Sequence, residues 1–394
     1  MAASPTYENG TPSQPWQALA QGLGYVNQDE QYWWSKVGPL AQRLMEWARY
    51  STPERYRVLA FIYTYIVPAC GPKPDDNGQV FWKTYINYDC TPIQLSLNFH
   101  DKKVTFRTAN ISSSDISGTA KDPINQQAAV DAMIKQKRVL PSQNMRWFNH
   151  FMSKLFLEPE AAAALKAKAD EFQIRNGVQC MLSHDFPNSQ VQCKAFFAPN
   201  WKAFATGIEM KDVIWDAIMA LGDDILPYKS GLAILDRFTT SASAAAAGAV
   251  PVCFAFDSVL EGDYKNSRIK IYYATLRTAF DVMVEIYTLG GLLTGPEMEK
   301  GVQALRMLWN AVVNIPDGWP DDTDLPANPH RFAAVLFNFE IRHGAELPVP
   351  QIYIPAHYYG RSDLEIADGV DRFFQSQGLD ADYPPYKENY IKCL

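Results

Sequence analysis

Two kinds of hydrophobic spacing alternate along the chain. From about Asp29 to Tyr50, Trp33, Trp34, Leu40, Leu44 and Trp47 recur at helical intervals. Thr52-Pro53-Glu54 reads as a helix start, with threonine as cap and proline at the first helical position. The stretch that follows carries Tyr56, Leu59, Ala60, Tyr63 and Ile66 and stops at Pro68 and Gly71. The period then drops to two. In TPIQLSLN (Thr91 to Asn98), Ile93, Leu95 and Leu97 share one face and Gln94, Ser96 and Asn98 the other, which predicts a strand. His100-Asp101-Lys102 turns the chain into a second strand over Val104 to Thr108.

This order of helix, helix, strand, strand recurs. Gln126 to Lys137 and Met145 to Ala169 are helical in pattern, and Val178 to Ser183 and Val191 to Ala198 read as strands around Pro187-Asn188-Ser189. Residues 210–221 and 229–239 precede strands at Val252 to Asp257 and Arg268 to Tyr273. Residues 275–288 and 296–313 precede strands at Val335 to Arg342 and Gln351 to Ile354, and a helix over Asp363 to Gln377 begins a fifth unit. Antiparallel hairpins in series, each bringing helices for one face, predict an α+β fold: a closed barrel with helices outside. Two separate α+β domains are the alternative. Residues 1–15 are polar and contain three prolines, so a flexible tail is expected over 1–23, ahead of one domain over 24–394. Ser241 to Ala249 (SASAAAAGA) reads as a small-residue linker.

The polar faces of the strands carry the chemistry. In SRIKIYY (Ser267 to Tyr273), Ile269 and Ile271 face one way and Arg268, Lys270 and Tyr272 the other. Neighbouring cations on a barrel's inner face are costly unless an anion meets them. Gln192, Lys194 and Phe196 share a face in VQCKAFFAP; Arg107 lies opposite Val104 and Phe106; Gln351 and Tyr353 share a face in VPQIYIP. A lumen holding Arg107, Lys194, Arg268 and Lys270 suits a multiply charged anion such as a diphosphate. Tyr272 and Tyr353 add hydroxyls, and their ring faces stabilise a cation. Anion binding beside cation stabilisation suits ionisation of an allylic diphosphate. Four solvated faces would give a similar alternation.

Composition narrows the alternatives. Of 394 residues, 47% are apolar and 20% charged, a globular composition, and aromatics reach 13%. Lys plus Arg total 36 against 43 Asp plus Glu, giving a net charge of −7, so the basic excess of a nucleic-acid binder is missing. No apolar run is long enough for a membrane span, and the N-terminus has no signal-peptide pattern. The six cysteines form no CxxC pair and read as reduced thiols of a cytoplasmic protein. Asp321-Asp322-Thr323-Asp324 lies between prolines and Asp223-Asp224 ends at Pro227, so neither reads as a helical Mg²⁺ motif, and the histidines show no zinc spacing; no metal is expected.

DEQYWW (Asp29 to Trp34), TPIQLSLN, the Arg107 strand with GTAKDPIN (Gly118 to Asn125), KAFFAP, SRIKIYY, YTLGG (Tyr287 to Gly291) and VPQIY together resemble the fungal dimethylallyltryptophan synthase family of aromatic prenyltransferases, over roughly residues 24–378. The resemblance implies the ABBA prenyltransferase barrel, ten antiparallel strands ringed by helices. It implies metal-independent transfer of a dimethylallyl group from dimethylallyl diphosphate to an aromatic acceptor in secondary metabolism. By the same resemblance Arg107, Lys194, Arg268, Lys270, Tyr272, Gln351 and Tyr353 fall on diphosphate-binding positions, and Tyr85, Ile86 and Val252 on the acceptor pocket.

The departures matter as much. Gln94 stands where the family has a glutamate that accepts from the indole N–H; an amide still orients the ring but is a poor base. Gln179 replaces a lysine, Val252 replaces an arginine that grips an amino-acid carboxylate, and Phe196 and Ala198 replace two aromatics of the tyrosine shield. These changes disfavour free tryptophan and favour a neutral acceptor: an indole cyclic dipeptide, an indole terpenoid or alkaloid, or a phenolic polyketide. The sequence stops at Leu394 after one helix of the fifth unit, so the barrel is expected to lack its last two strands. An inactive relative that binds an aromatic ligand or partner, and a homodimer that closes the gap, are the other readings of that feature.

Overall fold

The computed structural model describes residues 14–394 except 85, 88, 142, 169–178, 261 and 331–332. Eight strands form one antiparallel sheet in chain order: β1 (Ile93–His100), β2 (Lys103–Asn110), β3 (Cys180–Asp185), β4 (Gln192–Phe197), β5 (Val250–Ser258), β6 (Arg268–Thr275), β7 (Val335–Arg342) and β8 (Val349–Tyr353). Every neighbouring pair is joined by a hairpin or by a helical excursion, as the repeat predicts, and one main cluster of buried side chains runs through the described residues.

The alternation decides which face meets the helices. On β6, Ile269, Ile271 and Tyr273 are buried, and on β7 so are Val335, Phe337, Phe339 and Ile341. Phe197, Phe254 and Phe256 line the same outer side and pack against Phe151 and Trp147 of the helix Met145–Leu155, with ring centroids 4.7 Å apart for Phe151–Phe254 and 5.6 Å for Trp147–Phe256. Each such burial is worth about 1.5–3 kcal/mol, so the sheet's register is held by its apolar side.

Several boundaries differ from the pattern. Ser51, not Thr52, caps the second helix, because Glu54 reaches back to the Ser51 N–H (2.7 Å) in a capping box. Met145 to Ala169 breaks into Met145–Leu155 and Pro159–Ala167, since proline starts helices and does not continue them. Of the tail expected over 1–23, residues 1–13 lie outside the described residues, and Pro15–Leu23 is a helix instead; the Trp34 indole donates to the Trp16 carbonyl (3.2 Å) and ties it down. The supposed linker holds a short helix, Ala242–Ala246, capped by Ser241. Asp324 accepts from the N–H groups of Thr278 (2.6 Å) and Ala279 (2.9 Å), and Asp224 from the Trp147 indole (2.9 Å), so both aspartate clusters serve the fold.

The sheet does not close: β1 and β8 are its two edges. The helical layer nevertheless runs across the open side. The helix Asp363–Ser376 packs on Pro296–Val312, so closely that a Cβ at Gly369 would stand 2.0 Å from the Ala311 carbonyl oxygen. A further helix, Tyr386–Cys393, follows, beyond the single one expected. Phe99 of β1 meets Phe374 at 5.4 Å, Tyr383 at 5.3 Å and Tyr386 at 5.9 Å. Arg43, on the helix Gln28–Trp47, donates to the Cys393 carbonyl (3.1 Å). The C-terminal helices thus join the helix Pro296–Val312 to β1 and to the helix Gln28–Trp47 from outside.

Candidate active site

Cross-strand register sets the inner face in rows. Gln94, Ala109, Ser183, Lys194 and Asp257 succeed one another across β1 to β5. Arg107 lies beside Asp185 on the next row. Met181, Phe196, Ala255, Lys270 and Glu340 form a third row, and Cys253, Tyr272, Asn338 and Gln351 a fourth. Charged side chains therefore gather at one end of the face and rings and amides at the other. Arg107 of β2 is within electrostatic reach of Tyr272 of β6 and Tyr353 of β8, which only a curled sheet permits.

The four cations expected from sequence are brought together, and each is met by a carboxylate that sequence reasoning missed. Arg107 donates from Nε to Asp185 Oδ1 (2.7 Å) and from its terminal NH2 to Oδ2 (3.0 Å); Lys194 Nζ donates to the same Oδ2 (2.5 Å). Arg268 forks onto Asp257 (2.5 and 3.1 Å) and donates to Glu340 (3.0 Å). Lys270 Nζ stands 3.1 Å from Glu340, and Arg342, a fifth cation, donates to the other oxygen of Glu340 (2.8 Å). The signal for Glu340, Arg342 and Asn338 was in the β7 alternation, since all three sit opposite Val335, Phe337, Phe339 and Ile341.

Burial and pairing set the protonation states. Burial opposes ionisation of Asp185, but the Arg107 fork and the Lys194 ammonium outweigh it and hold the carboxyl down to about 2. Glu340 is likewise buried, yet Lys270 and Arg268 bring it to about 2. Burial pushes Lys194 down to about 8 despite Asp185. Lys270 is lowered too, by burial and by the neighbouring Arg268. Burial raises the Tyr272 phenol well above its ordinary value, so it remains a neutral donor.

At the other end Tyr272 lies 5.6 Å from Phe196 and 6.1 Å from Tyr353, ring centre to ring centre. Asn338, fully buried, donates through Nδ2 to Gln351 Oε1 (2.9 Å) and to the Tyr353 hydroxyl (2.9 Å), leaving its Oδ1 without a partner. Gln179 extends the β3–β4 pairing by accepting from the Ala198 N–H (3.1 Å), and both ends of its buried side-chain amide lack partners. Val252 is the extra residue of a bulge between Pro251 and Cys253, where proline cannot donate to the ladder. Ile86 is half-buried in the loop that Asn87 fastens to β1 through the Ile93 carbonyl (2.6 Å). Tyr85 lies outside the described residues. Gln94 shares the face of Lys194 and is exposed on an edge strand.

Clustered cations beside a patch of rings suit the ionisation of an allylic diphosphate, and comparison with known proteins decides the family. The family model described as tryptophan dimethylallyltransferase matches residues 29–389. The chain belongs to this family. As a tryptophan dimethylallyltransferase family member it is an aromatic prenyltransferase. It is 65% identical over its whole length to 91% of the indole diterpene prenyltransferase nodD1 of Hypoxylon pulicicidum. It is 50% identical to the indole diterpene prenyltransferase janD of Penicillium janthinellum, covering 96% of this chain and 87% of that one. Among solved structures, AnaPT from Neosartorya fischeri superposes with a TM-score of 0.82 at 24% identity, over 96% of this chain and 89% of that one. NotF in complex with brevianamide F and DMSPP gives 0.80 at 23% identity, over 96% and 90%. These likenesses confirm the ABBA prenyltransferase architecture, here an eight-stranded half-barrel within its helices. Among the described residues no group of three His, Cys, Asp or Glu could hold a metal ion, and no helix is long and apolar enough to cross a membrane.

Proposed function

We propose that this prenyltransferase transfers a dimethylallyl group from dimethylallyl diphosphate to an indole diterpene, in the cytoplasm and without a metal ion. The observation that carries the reading is the division of the inner face: a network of five cations at one end, Tyr272, Phe196 and Tyr353 at the other. The diphosphate takes the N–H groups of Arg107, Lys194, Arg268 and Lys270 that the carboxylates leave unused, with Tyr272, Gln351 and Tyr353 reaching its oxygens. The allylic C–O bond breaks, the diphosphate leaves with the electron pair, and the ring faces stabilise the allyl cation. The indole ring attacks the cation, and loss of the ring proton restores aromaticity. Arginine and lysine charges here do what Mg²⁺ does elsewhere.

The acceptor follows from uncharged groups. Gln179 and Asn338 present buried amide atoms without partners, which a ligand hydroxyl or carbonyl would satisfy, and Val252 offers nothing to a carboxylate. Indole diterpenes carry such groups on an apolar body, and the relatives named above act on that class by their names. Tyr85 and Ile86 belong to the same pocket in this reading, and Gln94 orients the indole N–H.

The test is a prenylation assay in EDTA with dimethylallyl diphosphate and four acceptors: an indole diterpene, a tryptophan-containing cyclic dipeptide, free tryptophan and a phenolic polyketide. The indole diterpene should gain one prenyl unit fastest and free tryptophan slowest. Preference for free tryptophan, or a strict Mg²⁺ requirement, would refute the reading. The exposed Gln94 and the edges of β1 and β8, unpaired among the described residues, favour a second reading, a half-site that a second copy closes. Turnover that rises with dimer formation supports it.

A further inference from the structure

Glu340 has an unusual set of neighbours. It is one of the most buried carboxylates in the fold, with a side chain 2% exposed, and both its oxygens are taken by cations: Arg268 (3.0 Å) and Lys270 (3.1 Å) on one, Arg342 (2.8 Å) on the other. Register explains why. Lys270 pairs directly with Glu340 across β6 and β7, while Arg268 pairs directly with Arg342. Like charges opposite each other on a sheet repel, so Arg268 and Arg342 need an anion between them. Glu340 is that anion, and it remains ionised at neutral pH because Lys270 and Arg268 offset its burial.

We propose that Glu340 is the internal counter-anion of the diphosphate site: it holds Arg268, Lys270 and Arg342 while the site is empty, shares them with the donor's phosphate oxygens, and takes them back as inorganic diphosphate leaves. The proposal rests on the donor-site reading above. Glu340 is a positioning residue, acting through the cations. Its charge keeps the guanidinium forks oriented between turnovers and weakens the grip on an anionic product. A site with bare cations would bind diphosphate more tightly and release it more slowly, and tight product binding does nothing for the chemical step. No bond is made or broken at Glu340, and only hydrogen bonds change hands.

The experiment measures binding of inorganic pyrophosphate to the full chain by calorimetry in EDTA, together with first-turnover and steady-state prenyl transfer. Glu340→Gln keeps the shape and removes the charge, and it should bind pyrophosphate about tenfold or more tightly than the wild type. Its steady-state turnover should fall further below its first turnover than in the wild type, giving a burst. Glu340→Asp should return affinity towards wild type. Loss of a merely structural residue would weaken binding, so the sign separates the two roles. Unchanged or weaker binding by folded Glu340→Gln overturns the proposal. If that variant does not fold, Arg342→Gln at its exposed position decides. Freed from Arg342, Glu340 turns wholly onto Arg268 and Lys270, and pyrophosphate should bind at least threefold more weakly; unchanged or tighter binding overturns the proposal. Arg107→Gln is the control on the site itself. If the wild type binds no pyrophosphate, or Arg107→Gln has no effect, the donor-site reading fails and this inference with it.

Discussion

Lys194 gives the site a measurable dependence on pH. Its ammonium is almost wholly buried against Asp185 at 2.5 Å, and Arg107 and Asp257 are the other charges that act on it. Burial brings it to about 8, from an ordinary value of 10.5. A bound diphosphate adds anionic partners and returns the ammonium towards that ordinary value. Binding above pH 8 must therefore take up a proton, and affinity falls as pH rises. With a free-site value of about 8, affinity at pH 9 should be about elevenfold below its low-pH limit, roughly 1.4 kcal/mol. The stability effect has the opposite sign. A lysine depressed on folding costs most while it is charged in the folded state, below about pH 8, and this cost is relieved as pH rises towards 10.5. Weakened binding near pH 9 is thus not unfolding at this residue. The assay is titration calorimetry with inorganic pyrophosphate between pH 7 and 9.5, in two buffers of different ionisation enthalpy, which counts protons directly. Lys194→Arg is the control, because a guanidinium does not titrate in this range. Pyrophosphate's own ionisation is common to both proteins, so their difference isolates Lys194. Equal profiles for wild type and Lys194→Arg, with no proton uptake in either, would refute the reasoning.

Two further outcomes are expected. Asp185 and Glu340 lie below their ordinary values of 3.8 and 4.5, so each adds stability that is present above those values and is lost as pH falls towards 2. Chemical denaturation between pH 5 and 2 should show a loss on the order of 2–3 kcal/mol for each, and Asp185→Asn should show a smaller loss over the same window. Gly369→Ala places a methyl against the Ala311 carbonyl, so the helix Asp363–Ser376 must move off Pro296–Val312. About 1–3 kcal/mol of stability should go, and limited proteolysis should release the C-terminal helices first.

Period and parity carried most of the fold. The β7 strand falls on the residues the alternation marked, Val335–Arg342, because both of its faces are unambiguous: four large apolar side chains against Leu336, Asn338, Glu340 and Arg342. The same parity correctly aligned Arg107, Lys194, Arg268 and Lys270 on one face. It failed where local rules compete, as at Pro159, which splits a continuous helical pattern, and at Pro15–Leu23, where a proline that starts a short helix reads as part of a tail. The helix Tyr386–Cys393 was missed because its stability comes from tertiary contact, Tyr386 resting 5.0 Å from Trp47, and little from its own polar pattern.

The carboxylates were missed for a different reason, and it changes what the cations mean. A carboxylate on the inner face of a strand has the same sequence pattern as one in water. Only register shows that Asp185 stands across from Arg107 and one strand from Lys194, or that Glu340 stands across from Lys270. Buried cations demand an anion, and from sequence alone a ligand is the natural one. In the structure the protein supplies much of it, so paired cations alone do not imply a diphosphate. What supports one is the excess, since the network joins Arg107, Lys194, Arg268, Lys270 and Arg342 to only three carboxylates. The surplus positive charge lies at one end of a concave face whose other end is aromatic. A substrate that is anionic at one end and becomes cationic at the other as it reacts matches both halves. A simple polyanion would use only the first, and a neutral aromatic only the second.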